Sequence, residues 1–186
     1  AGPWVYDSTL PKPLDPGNHT IKSLIEYSSK DISTNINTKT ALERLYELLV
    51  EFDIIDSLED LNDRFTVLAP NTNAFTGYNP TFNTLLDSQK EKFLKSHIVL
   101  GRFALSDIDD LARRNKEVRT LSGTVLKFYK DNAGVLYVLA KDNISKIINP
   151  DFLARNGVIH HLESVLEVLD PSVLPDTKGV VFAQLK

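Results

Sequence analysis

Two stretches decide the fold of this sequence: Thr66–Phe75, which reads TVLAPNTNAF, and Asn156–Leu169, which reads NGVIHHLESVLEVL. In the first stretch, the apolar run Phe65–Ala69 ends at Pro70, a pattern that is typical of a buried strand followed by a turn. In the second stretch, Gly157 permits a backbone with positive φ ahead of an apolar strand. Both stretches therefore carry folding chemistry, and neither contains a catalytic motif.

Helical patterns dominate the first half of the chain. A segment that begins after Thr20 and three capping patterns further on predict short helices with one apolar face each. The second of these helices has the clearest stripe, with apolar residues at steps of three and four. The four predicted helix starts are Thr20, Thr40 with Glu43, Ser88 with Glu91, and Ser106 with Asp109.

Strand patterns follow in the second half. Thr124–Lys130 and Val135–Leu139 are rich in β-branched and aromatic residues, and the turn-like Asp131–Gly134 between them predicts a hairpin. Asn143–Ile148 is a predicted third strand that ends at Asn149-Pro150, and the second signature stretch supplies a fourth. Helices that come first and strands that come later predict an α+β fold.

Composition excludes several classes of protein. The 186 residues include 42% hydrophobic and 25% charged side chains, as in ordinary globular domains. Cysteine is absent, which excludes thiolate catalysis, disulfides and thiolate-bound zinc. The net charge of −4 argues against a nucleic-acid partner. The longest apolar run, Val135–Ala140, is too short to cross a bilayer, so we expect membrane attachment only through an anchor outside this sequence.

The two quoted stretches resemble the signature motifs of the fasciclin-like (FAS1) domain family, which read close to TVFAPTNEAF and NGVIHVIDRVL. Lys95–Asp107, KSHIVLGRFALSD, is similar to the stretch that lies between them in the family. The resemblance covers Thr20–Leu169 and implies a wedge of β-sheets with several short helices packed around it. We expect Phe75 and Ile159 to be buried in its core.

This assignment divides the chain into three predicted parts. Residues 1–19 form a predicted proline-rich N-terminal arm, residues 20–172 the FAS1-like domain, and residues 173–186 a C-terminal tail. The resemblance implies a non-catalytic adhesion or interaction module that is secreted or held at the cell surface. It implies a protein partner, either a receptor or a matrix component, or a polysaccharide. The alternative is a vacuolar, periplasmic or envelope protein that binds a small ligand or a polysaccharide.

Asp151 and Phe152 are the first candidates for partner binding. They match the position of a Pro-Asp-Ile segment that is implicated in integrin recognition in some animal members of the family. Here Phe replaces Ile, and Asn149 replaces the preceding Glu. The alternative, which we favour, is a simple turn with Asp151 as its cap and Phe152 folded back into the core.

His97 matches the His of a family Tyr-His pair that is associated with integrin binding, although Ser96 stands in place of the Tyr. Its functional interpretation is a residue that orients an adhesive loop. The alternative, which we favour, is a core histidine whose ring nitrogens bond backbone groups.

The remaining polar motifs predict no metal and no cofactor. His160 and His161 are neighbours on a predicted strand, so they point to opposite faces and cannot chelate one metal ion together. Asn18 and Asn143 begin acceptor sequons for N-glycosylation, which would suit a secreted glycoprotein. We find no motif that indicates an enzyme.

Overall fold

The structure is a computed structural model, and it describes residues 19–29, 41–141 and 143–166. Asn18, Thr40, the C-terminal tail and all of the N-terminal arm except His19 lie outside these residues. The α-helices of the described chain are α1 (Ile21–Ser29), α2 (Glu43–Glu51), α3 (Thr72–Thr76), α4 (Asn79–Phe82), α5 (Asp87–Lys95) and α6 (Leu105–Arg113), with a 3₁₀ helix at Ile55–Glu59. The strands are β1 (Phe65–Pro70), β2 (Ile98–Leu100), β3 (Val118–Arg119), β4 (Val125–Lys130), β5 (Leu136–Leu139), β6 (Ile144–Ala154) and β7 (Gly157–Leu162).

The described strands form one mixed sheet in the order β2-β1-β7-β6-β5-β4-β3. Only the β1–β7 pair within this sheet is parallel. The two ends of the sheet approach each other, because Val99 of β2 forms a bridge with Thr120, just beyond β3. The N–H of Leu121 also donates to the carbonyl of Ile98 at 2.8 Å. The sheet therefore curls almost into a barrel, and the predicted α+β class is confirmed.

Two hydrophobic cores lie on opposite sides of β1 and β7. Val67 and Ile159 face the core that packs against the helices of the first half, while Leu68 and Leu162 face the core closed by α6. Neighbouring strand residues alternate between these cores, as strand geometry requires. This explains why every residue of β1 and β7 is buried. Phe75 is also buried, as is Ile159, so both predictions about the core are confirmed.

Position 157 requires glycine mainly because two strand backbones lie very close together there, and less because of its own backbone conformation. Gly157 pairs with Phe65 in the parallel ladder, and a Cβ at Gly157 would overlap the carbonyl oxygen of Phe65. Its φ is positive, at 158°, but that value is close to extended backbone. A side chain at this position would separate β1 from β7.

Two helices begin at residues other than those that the capping patterns predict. Ser88 was the predicted cap of α5, but the structure places the cap two residues earlier, at Leu86. The reason is Gln89, whose Oε1 accepts from the Leu86 N–H at 2.7 Å and so satisfies a free helix donor. The same shift of two residues occurs at α6, where Ala104 is the cap in place of the expected Ser106.

The third predicted strand is longer than expected. β6 continues through Asn149-Pro150 to Ala154, so the prediction that it ends at this dipeptide is wrong. The β6–β7 register shifts between Ile147 and Asn149 and again between Asn149 and Phe152. A proline has no N–H to give the ladder, and such irregularities are the positions where a strand tolerates one.

Gly157→Ala should lower the free energy of unfolding by more than about 3 kcal/mol, because the added Cβ meets backbone that cannot move away without breaking the ladder. Urea denaturation measures this loss. Gly77→Ala is the matched control, since a Cβ there meets nothing within 4 Å, and its effect should stay within about 0.5 kcal/mol. Equal stability of the two variants would contradict the close approach of β1 and β7.

Candidate partner-binding surface

Asp151 lies at the bulged part of β6 in a left-handed conformation, with φ at 66°. Its Oδ1 accepts from the N–H of Leu105, the first residue of α6, at 2.8 Å. Its own N–H donates to Nδ1 of His160 at 3.1 Å. Asp151 is exposed, yet both of these bonds fix its position. The residue therefore caps a helix that lies 46 positions earlier in the chain, where the sequence suggested only a local turn.

His160 supports Asp151 from within the sheet. Its ring is buried, and its Nε2–H donates to the carbonyl of Phe103 at 2.7 Å while Nδ1 accepts from Asp151. Burial lowers the pKa of His160, against the opposing influence of the Phe103 carbonyl and the Asp151 carboxylate. The neutral ring thus ties the bulge of β6 to the segment that leads into α6.

His161 points to the other face of β7, as the strand pattern predicted. Its ring stacks on Phe152, with centroids 4.6 Å apart and planes at 12°. Phe152 is half-buried and packs against the helix-side core, in agreement with the alternative interpretation of this residue. Burial, with a smaller effect from His160, lowers the pKa of His161 to about 4. Its buried Nε2 has no hydrogen-bond partner among the described residues.

His97 lies in the core and does not reach the surface that carries Asp151. Its Nδ1–H donates to the carbonyl of Phe93 at 3.0 Å, and its Nε2 accepts from the N–H of Leu166 at 2.8 Å. Burial lowers its pKa to about 4, although the Phe93 carbonyl acts in the opposite direction. The geometry is that of the core histidine favoured from sequence, so any effect of His97 on a partner would act through the backbone it holds.

A groove runs between α6, the β4–β5 turn and the bulge of β6. It encloses about 560 Å³ and is mostly apolar, with Asp151 at one side. An ion pair between Lys130 Nζ and Asp109 Oδ1, 2.9 Å apart, joins the hairpin to the helix across it. The hydrogen bond from Lys130 is the main reason why the pKa of Asp109 is lowered. Of the residues predicted to bind a partner, Asp151 alone lines this groove.

Asn156 has a structural role that the sequence analysis missed. Its Oδ1 accepts from the N–H of Ile21 at 2.8 Å, and its Nδ2 donates to the carbonyls of Leu58 and Asp60 at 2.9 and 3.0 Å. The side chain is completely buried, so it joins α1 and the 3₁₀ helix to the start of β7. The sequence signal for this structural role was the position of Asn156 beside Gly157 in the second signature stretch.

Asn143 is half-buried, and its Nδ2 donates to the carbonyl of Val165 at 3.0 Å. The hydroxyl of Ser145, the third residue of the sequon, is engaged with the carbonyl of Ser164 at 2.8 Å. Glycosylation at Asn143 stays a prediction, and Asn18 lies outside the described residues.

The described part of the chain contains neither a metal-binding group nor a membrane-spanning helix. No group of three or more His, Cys, Asp or Glu residues there could hold a metal ion. None of the helices there has the length and apolar character that crossing a membrane requires.

The family model of the Fasciclin domain matches residues 19–168, so this chain belongs to the fasciclin (FAS1) domain family. Members of this family are, in general, non-catalytic modules of adhesion and interaction. The fold agrees with a solved structure of a FAS1 domain pair from the insect cell adhesion molecule fasciclin I, with a TM-score of 0.65 and 15% identity. That match covers 83% of this chain and 52% of the other, so this chain spans about half its length. No curated protein sequence is significantly similar to this chain.

The buried histidines predict a loss of stability in mild acid. His97 and His161 have folded pKa values of about 4, below the ordinary value of 6.5, so the unfolded chain binds protons first as the pH falls. The free energy of unfolding should therefore decrease between about pH 6.5 and pH 4, by on the order of 3 kcal/mol for each histidine. Urea denaturation at pH 7, 6, 5 and 4 measures this loss.

His161→Phe is the matched variant, because phenylalanine preserves the stacking on Phe152 and removes the buried Nε2. It should flatten the pH dependence by the contribution of one histidine. Carboxylates titrate alike in both proteins, so they cancel in the difference. An unchanged slope in the variant would contradict the buried neutral state of His161.

Proposed function

We propose that this FAS1 domain is a non-catalytic adhesion module that acts outside the cell or at its surface and binds a protein partner, a receptor or a matrix component. Its partner surface is the groove between α6 and the β4–β5 turn, together with the carboxylate of Asp151. The observation that carries this proposal is the position of Asp151, which is exposed at the side of a mostly apolar groove and fixed by two hydrogen bonds.

The rigidity of Asp151 supports a role in recognition. A left-handed φ in a residue other than glycine is costly and persists only when the surroundings impose it. Here His160 and the first turn of α6 hold the residue in place. A partner would then bind a carboxylate that is already positioned, which avoids part of the entropy cost of association. Recognition residues commonly lie on irregular segments that a rigid scaffold presents in this way.

The hydrogen bonds of two of the buried histidines support a non-catalytic role. Both ring nitrogens of His97 and of His160 are bonded to backbone groups of the domain itself. Neither ring therefore has a nitrogen to offer a substrate as a general base. In the groove, Asp109 is paired with Lys130, which leaves Asp151 as the acidic group most open to a partner.

A second candidate function rests on the size of the groove. A volume of about 560 Å³ lies within the range of small-ligand sites, and its lining is mostly apolar. A luminal, periplasmic or envelope protein of this family could hold a small molecule there. Native mass spectrometry of the protein from its source would then detect a bound compound. An Ala133→Trp variant, with a large side chain added at the exposed wall of the groove, would lose it.

Asp151→Asn separates recognition from folding. The amide oxygen of asparagine can still accept from Leu105, and asparagine tolerates a left-handed backbone. Stability should stay within about 0.5 kcal/mol of the parent, while the negative charge is lost. Attachment of cells to a surface coated with the domain should fall by about tenfold or more, since removal of a charge that binds a partner commonly costs this much.

Two further variants make this experiment decisive. Asp63→Asn carries the same change of charge at an exposed position outside the groove and should attach cells like the parent. Asp151→Ala removes the cap of α6 and should cost about 1–2 kcal/mol of stability. If only the Ala variant loses attachment, in step with its stability, Asp151 supports the scaffold and does not bind the partner.

A further inference from the structure

The dipeptide Asn156-Gly157 is chemically reactive in a chain that is not folded. The backbone nitrogen that follows an asparagine can attack the side-chain amide, and it does so most readily when the next residue is glycine. Glycine has no side chain to shield its nitrogen or to restrict its backbone. Asparagine is for this reason among the thermolabile residues of proteins. Of the eight glycines in this chain, only Gly157 follows an asparagine.

The fold requires both residues of this dipeptide. The amide of Asn156 serves three backbone groups with one oxygen and one nitrogen, which a carboxylate of the same shape cannot do because it has no N–H to donate. A side chain on Gly157 would overlap the carbonyl oxygen of Phe65 in the neighbouring strand. The native structure thus depends on a pair of residues whose own chemistry threatens it.

The native structure also protects this pair. The side chain of Asn156 is completely buried, so water does not reach its amide. Its three hydrogen bonds hold the amide as a planar group, whereas attack at Cγ makes that carbon tetrahedral and removes Nδ2. The backbone is held as well, because the carbonyl of Asn156 accepts from the N–H of Phe65 at 2.9 Å. Reaction therefore requires these contacts to open first.

We propose that Asn156 is a site of covalent modification that reacts when the domain unfolds, and that its modification prevents the chain from refolding. The nitrogen of Gly157 loses its proton and bonds to Cγ of Asn156, the bond from Cγ to Nδ2 breaks, and ammonia leaves with that proton. Water then opens the cyclic imide at one of its two carbonyls. The product is aspartate or isoaspartate at position 156, and water is the only co-reactant.

Both products conflict with the native site. Aspartate keeps an acceptor for the N–H of Ile21, but its other oxygen would face the carbonyls of Leu58 and Asp60, which are acceptors too. A carboxylate buried against two carbonyls and away from water is strongly disfavoured. Isoaspartate adds a methylene group to the backbone immediately before β7, where the pairing of Gly157 with Phe65 sets the register against β1.

Stability sets the rate of this modification in the native protein. When unfolding and refolding are fast relative to the reaction, the native rate is the rate in the unfolded chain multiplied by the unfolded fraction. That fraction is about 10⁻³ to 10⁻⁶ for ordinary folded proteins. The inference does not rest on the proposed function, because Asn156 does not line the groove beside Asp151.

Incubation of the full chain in native buffer and in guanidinium chloride tests the proposal. Peptide mapping by mass spectrometry follows the conversion of amide to acid, and a methylation assay specific for isoaspartate distinguishes the two products. In denaturant, Asn156 should be modified before every other asparagine. In native buffer its modification should be slower by about 1,000-fold or more.

Two variants test the chemistry and the protection separately. Asp63→Gly places the same dipeptide at Asn62, which is exposed in the loop before β1, and Asn62 should then react in native buffer nearly as fast as in denaturant. Gly157→Ala is measured in denaturant alone, where its effect on folding does not enter. It should slow the reaction at Asn156, because the added methyl group shields the attacking nitrogen.

Two further variants test the dependence on unfolding. Phe75→Ala removes a buried ring from the helix-side core, and the native rate at Asn156 should rise by the same factor as the unfolding constant measured in urea. Gly77→Ala, at a position with free space around it, should leave both quantities unchanged.

Refolding tests the second half of the proposal. Chains that are aged in denaturant and then diluted into native buffer should recover the native circular dichroism signal only in proportion to their unmodified fraction. Asn156→Asp, made directly, should fail to recover this signal under conditions in which the parent does.

Four outcomes would overturn the proposal. Equal rates at Asn156 in native buffer and in denaturant would show that the fold gives no protection. An unchanged native rate in Phe75→Ala would show that unfolding is not required. If Asn62 in the Asp63→Gly variant were as protected as Asn156, burial would not be the cause. Complete refolding of modified chains would show that the native site accepts the product.

Discussion

The parallel pairing of β1 with β7 is the constraint on which the rest of the structure depends. Six residue pairs, from Phe65 with Gly157 to Pro70 with Leu162, join β1 to β7, the first and last strands in chain order among the described residues. Side chains alternate from this pair into both cores, so the same ladder positions the helices on one side and α6 on the other. The lack of a side chain at Gly157 allows the two backbones to meet.

The polar residues beside this ladder serve the scaffold first. Asn156 fixes the start of α1, His160 fixes the bulge at Asp151, and His97 holds the backbone at Leu166. Each of them satisfies backbone groups that would otherwise be buried without partners. The polar side chains that most suggest a chemical function in the sequence are therefore largely buried within the domain. The polar group that we propose for a partner is the exposed carboxylate of Asp151, beside the groove.

Local patterns predicted the elements that depend on local physics. The β4–β5 hairpin and the alternation of its strands follow from turn residues and β-branched content, and both agree with the structure. The passage of β6 through Pro150 was not predictable, because it depends on a register shift against β7. Asn156 and Asp151 cap helices 135 and 46 positions away, and no local pattern carries such information. The sequence could mark Asp151 as exposed, but the groove beside it exists only once α6 and the hairpin are packed.

The chain separation between β1 and β7 also sets an order of events during biosynthesis. The helices of the first half can form early, since helix contacts are local and helices form within about a microsecond. β1 must wait, because its parallel neighbour begins 92 positions after β1 does. Closing so long a loop precedes the contacts that reward it, which makes such folds slow. Until β7 leaves the ribosome, the edge of β1 that pairs with β7 has no partner, and unpaired strand edges of this kind make a nascent chain prone to aggregation.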